Sequence, residues 1–106
     1  MHDLSFIKES NLFVLRFHGT LTTAEGKAAF LEVVRHAEFN DAARLIMDTR
    51  GVTEARLDFA GLFAGVQSVL REIGRFGPSA LGVVLVRGET HFGLARMLEQ
   101  VVEALA

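Results

Sequence analysis

An α/β fold, in the order β-β-α-β-α-β-α with a small mixed sheet and helices packed against it, follows from three features of this 106-residue chain. The run Ala80–Val86 (Ala-Leu-Gly-Val-Val-Leu-Val) is short and apolar throughout, the pattern of a parallel strand buried on both faces. Phe59, Leu62, Phe63, Val66, Val69, Leu70 and Ile73 recur at intervals of three and four, as on an amphipathic helix. From Leu12 onward, strand-like and helix-like segments alternate, which implies right-handed crossovers and parallel pairing. The length allows one domain, 1–106, with enough chain to bury a core.

Each element has its own signals. Leu4–Lys8 and Leu12–His18 are β-prone runs separated by Glu9-Ser10-Asn11, a hairpin turn with the first run on the sheet edge. Gly19-Thr20-Leu21 breaks the strand pattern. Thr22 with Glu25 then fits a capping box and opens a helix to about His36, with Ala24, Ala28, Leu31 and Val34 inward, flanked by Phe30, Val33 and Ala37. Phe39-Asn40-Asp41 is turn chemistry, Arg44–Asp48 a central strand, and Thr49–Arg56 a polar loop holding Gly51. One helix is expected over Asp58–Gly74, with Asp58 as its N-cap, Gly74 as its terminator, and Phe59, Leu62, Phe63, Val66, Leu70 and Ile73 as its buried face. Arg75–Ser79 is a loop, Arg87-Gly88-Glu89-Thr90 a turn, and His91–Leu105 a last helix.

Composition narrows the function classes. Half the residues are hydrophobic, with nine Phe and no Trp or Tyr, and the net charge is only -2, so intrinsic disorder is excluded. With 11 Lys+Arg against 13 Asp+Glu, no basic footprint marks a nucleic-acid partner. No apolar run approaches a membrane span, and Met-His-Asp-Leu-Ser lacks the start of a signal peptide. The absence of Cys removes disulfides and thiolate chemistry and fits a cytoplasmic protein.

Motifs for catalysis are weak. Gly88-Glu-Thr-His-Phe-Gly93 has the glycine spacing of a phosphate loop, but Leu94 and Ala95 replace the required Lys and Ser/Thr, so it reads as a turn and a helix start. No serine lies in a nucleophile elbow. His18, His91 and Asp48 all fall at expected strand ends, yet no ligand spacing marks a metal site, and neither a metal nor a cofactor is expected. Asp48 is expected to accept hydrogen bonds from the amides that follow it. Phe30, Phe59 and Phe63 read as core, while Phe76 and Phe92 lie at element ends.

A small-molecule site, if one exists, belongs where the carboxyl ends of parallel strands meet helix starts. His18, Thr20, Asp48, Arg50, Arg87 and His91 fall there, with Arg50 and Arg87 as anion partners.

Three stretches, taken with the element order, resemble the STAS domain superfamily, the fold of anti-sigma-factor antagonists. Val14-Leu15-Arg16-Phe17-His18-Gly19-Thr20-Leu21-Thr22 and Leu45-Ile46-Met47-Asp48-Thr49-Arg50-Gly51-Val52 are similar to the general pattern, and Phe92-Gly93-Leu94-Ala95-Arg96-Met97 to a bacterial group of small STAS-like proteins. The resemblance implies a docking module that binds a regulatory protein. STAS antagonists carry a phospho-acceptor Ser or Thr at the start of their second helix; the matching stretch here is Asp58, Phe59, Ala60 and Gly61, which has no hydroxyl. STAS domains also normally continue with another strand and helix, so the last helix packs alone or a partner chain covers the bare sheet edge. A mean hydropathy of +0.32 agrees with self-association, preferably as a C2 homodimer. Two binding readings therefore stand: a non-catalytic protein-interaction module, or a small domain that binds or senses an apolar ligand or an anion.

Overall fold

The computed structural model describes residues 1–76, 82–86, 93, 95–97, 99 and 100. Among them the elements are β1 (His2–Ile7), β2 (Leu12–Thr22), α1 (Thr23–Val34), β3 (Arg44–Arg56), α2 (Phe59–Ser68), α3 (Leu70–Ile73) and β4 (Gly82–Leu85), with one 3-10 turn at Lys8–Ser10. The protein is α/β with a mixed sheet in the order β1-β2-β3-β4. β1 runs antiparallel to β2, while β2–β3 and β3–β4 are parallel. Residues 93, 95–97, 99 and 100 are helical. The rest of the expected last helix, the Gly88–Gly93 loop apart from Gly93, and the turn at 87–90 lie outside the described residues, as do residues 77–79 of the loop at Arg75–Ser79.

Local chemistry explains the joints. Asn11 closes the first hairpin in the left-handed region, at φ 49°, a conformation that Asn tolerates better than most residues. Its side-chain amide pairs reciprocally with that of Asn40 at 2.9 and 2.8 Å, tying the hairpin to the turn before β3. Thr22 Oγ1 accepts from the Glu25 amide at 3.2 Å, which is half of the capping box. The return half is not made; the Glu25 carboxylate turns to the Met1 ammonium group. Asp58 caps α2, accepting from the Gly61 amide at 2.5 Å.

The core lies on one face of the sheet. Phe13, Leu15 and Phe17 of β2, with Leu45 and Val52 of β3, pack against Ala29 and Val33 of α1. Phe13 is the hub, its ring 4.6 Å from Phe6, 5.2 Å from His36 and 6.3 Å from Phe39. A second cluster holds Leu62 and Val66 of α2, with Leu57, Phe63, Ile73 and Met97 around them.

The structure departs from the sequence pattern in both long strands and in both main helices. Gly19-Thr20-Leu21 does not break β2, and Thr49–Arg56 is not a loop: both are strand, paired in parallel through Thr22 and Arg56. The polar residues of this stretch look loop-like because a ribbon with one wet face needs few apolar side chains. α1 presents Ala29, Val33 and Val34 inward, whereas Ala24 and Ala28 are exposed. Apolar residues run around most of this helix, so periodicity does not single out the buried stripe. The helix expected over Asp58–Gly74 is interrupted at Val69, where φ -115° and ψ 15° leave the helical region. Ser68 Oγ donates to the Gly65 carbonyl at 2.7 Å just before the break, a bond that competes with helix continuation. Phe59 and Leu70, expected inside, are 51% and 37% exposed. Phe30 is only half-buried and packs on Phe76.

Candidate functional site

β3 has 13 residues where its partner β2 has 11, and two register shifts absorb the difference. Arg16 pairs with Asp48 but His18 with Gly51; Gly19 pairs with Val52 but Thr20 with Glu54. Each shift is a β-bulge on β3, a device that re-aims side chains. Asp48 holds the first bulge. Its Oδ1 accepts from the Arg50 amide at 3.1 Å and from Arg50 Nε at 2.9 Å, and its Oδ2 accepts from the same guanidinium at 3.0 Å. Thr49 Oγ1 donates to the Leu85 carbonyl at 2.7 Å, which joins the bulge to β4. Gly51 beside it leaves room for this close approach: a Cβ there would lie 3.0 Å from the Phe17 carbonyl oxygen and 3.1 Å from His18 Cβ, so β2 would have to yield by a few tenths of an ångström.

Asp48, expected at a strand end, is instead buried inside β3; the amide it accepts from belongs to a bulge rather than a loop. Its carboxyl is held below the usual Asp range, chiefly by the hydrogen bonds from the Arg50 side chain, then by the Arg50 amide and the charges of Arg50 and Arg16, against the opposing effect of burial. Arg16 Nε lies 3.9 Å from Asp48 Oδ2. The cluster is therefore Arg16–Asp48–Arg50, and the expected site does not include Arg16. Alternation along β2 does put Arg16 opposite in sense to Leu15 and Phe17, but only the β2–β3 register sets it beside Asp48.

The other expected site residues are distributed differently. His18 lies within β2, not at its end, and its Nε2 is 3.1 Å from Asp3 Oδ2 on β1. Thr20 is two residues further along β2, 3.5 Å from Glu54 Oε2, and Glu54 in turn accepts from Arg56 Nε at 3.0 Å. Arg87 and His91 lie outside the described residues. Among the described residues no group of three His, Cys, Asp or Glu side chains comes together as a metal site. The structure thus brings Asp48 and Arg50 into direct contact and places His18 and Thr20 in pairs of their own. Arg50, expected as an anion partner, already spends two guanidinium nitrogens on Asp48.

An ionised Asp48 that organises a bulge has a testable pH signature. Its lowered pKa stabilises the fold above the unfolded-state Asp value, and this contribution is lost as pH falls through the lower, folded value. Asp48→Asn, which cannot ionise, is expected to cost about 1 kcal/mol at pH 7, the discounted worth of a pair whose arginine faces solvent. The gap between the two proteins should close as acid protonates Asp48. Urea midpoints from pH 7 down to about pH 2 check this, Asp having a reference value near 3.9.

The start of α2 is the other chemically distinct place. The Asp58 cap holds the first turn, Ala60 is exposed, and the half-exposed Phe59 ring lies 6.2 Å from that of Phe63. No helix among the described residues is long and apolar enough to cross a membrane. The chain matches no protein-family model and no curated protein.

Proposed function

We propose that this chain is a non-catalytic regulatory module of the STAS-like kind, which docks a protein partner through the start of α2. The sheet order, with an antiparallel first pair followed by parallel strands and a helix in each connection, supports the STAS-like reading. The observation that carries the docking reading is Phe59, a large aromatic side chain left 51% exposed on a capped helix turn. Aromatic anchors of this kind dominate binding energy at protein interfaces. Burying such a ring stabilises a complex by up to about 1.5–3 kcal/mol, less here because half is already covered. The partner is a protein offering an apolar pocket for the Phe59 and Phe63 rings. Because Asp58–Gly61 contains no hydroxyl, docking is not governed by phosphorylation there. Asp48, kept ionised by Arg50, is a framework residue; a general base works best with a pKa near the operating pH.

A photo-crosslinking phenylalanine analogue placed at position 59 in the source cells tests this, with position 27 as the exposed control. One discrete protein adduct from position 59, absent from position 27 and lost from co-purification in Phe59→Asp, is expected. No adduct from position 59, or an adduct with the mass of two copies of this chain, overturns the docking surface.

A further inference from the structure

β1 is the first strand of the sheet, and among the described residues no strand pairs with its outer edge. The His18 amide donates to the Met1 carbonyl at 2.9 Å, which sets the alternation of this hairpin. Asp3, Ser5 and Ile7 therefore direct their backbone groups to β2, and His2, Leu4 and Phe6 direct theirs to the open edge. Edge strands are commonly protected by proline, lysine or a bulge. His2–Ile7 has none of these, and its one acidic residue, Asp3, is already paired with His18.

We infer that β1 pairs antiparallel with β1 of a second copy, giving a C2 dimer whose sheet runs continuously through both chains. The inference is independent of the docking proposed for Phe59, which lies on another element. One register answers every requirement at once: Leu4 opposite Leu4 of the second copy, His2 opposite Phe6, and Phe6 opposite His2. All the outward backbone groups of His2, Leu4 and Phe6 are then satisfied in both chains. On the helix-covered face, half-buried Leu4 meets its own equivalent, and Phe6 meets an imidazole. On the other face, Asp3 lies opposite Ser5, and Met1 lies opposite Ile7. Those last two are among the exposed large hydrophobic residues of this chain, 72% and 42% exposed, and the same register covers both. Other registers that keep the faces matched leave Phe6 or His2 without a strand partner. The occupant of this edge is thus a second copy, because the strand is complementary to itself.

Sedimentation of the full chain should give twice the 11.6 kDa monomer mass. Leu4→Pro removes an amide that faces the edge rather than β2, a place where proline is tolerated, and should give a monomer with unchanged circular dichroism. The chain has no Cys, so disulfide cross-linking reads the register directly. Asp3→Cys and Ser5→Cys form a non-hydrogen-bonded pair across the dyad, with Cα atoms about 4.5 Å apart, within disulfide reach. A covalent dimer should form when the two single variants are mixed and oxidised, and not with either variant alone. This mixture decides the matter even if Leu4→Pro fails to fold. A monomer at all concentrations, or a dimer whose mixed cysteines do not cross-link, overturns the inference.

Discussion

Phe13→Ala should cost about 3–5 kcal/mol, the upper end of what truncating one core side chain does to a small domain. Phe13 has no exposed surface, lies in β2 between its pairings to β1 and β3, and meets the rings of Phe6, His36 and Phe39. Truncation opens a cavity bounded by two strands and by the turn after α1, which cannot all collapse into it. Domains of this size are stable by roughly 5–15 kcal/mol, so this one truncation removes a large share of the total. Urea unfolding checks the loss. Phe59→Ala is the companion measurement: its ring is half in solvent, and its stability should change by about 0.5 kcal/mol or less. Two phenylalanines from the same sequence would then differ several-fold in their effect, and the one that matters less for folding is the one proposed to bind a partner.

The second large effect is a pair of glycine substitutions with opposite signs. Gly65→Ala in α2 would place a Cβ 2.8 Å from Thr23 Cγ2 at the start of α1. That methyl belongs to a β-branched residue with restricted χ1, so the two helices must part. Overpacking of this kind costs about 1–3 kcal/mol, against a helix-propensity gain of about 1. A net loss of up to about 2 kcal/mol is expected. Gly26→Ala in α1 meets nothing within 4 Å and should instead stabilise by about 0.5–1 kcal/mol. Thermal midpoints of the two variants should therefore move in opposite directions. A rise for both would mean that α1 and α2 do not approach as closely as Gly65 indicates.

The Asp48 cluster shows where sequence reading stops. That Asp48 accepts a following amide is legible, because a short carboxylate two residues before an N–H is a local signal. That the amide belongs to a bulge, and that Arg16 approaches the same carboxylate, depends on how β2 and β3 align. Likewise His18 stands out in the sequence, but its partner Asp3 is set by the β1–β2 register.

What the sequence determined by itself was carried by contiguous residues: the alternation of strands and helices, the Thr22 and Asp58 caps, the turn closed by Asn11, and the absence of a hydroxyl in Asp58–Gly61. Only the tertiary structure decided that Thr49–Arg56 is strand, that Ala29 rather than Ala24 and Ala28 faces the sheet, and that Phe59 is left half exposed. The physical reason is the same for all three. A polar segment becomes a strand when a long neighbour supplies its hydrogen bonds, and a helix with apolar residues nearly all round buries whichever stripe its connections turn toward the sheet. Neither the neighbour nor the turn of the helix is encoded within the segment itself.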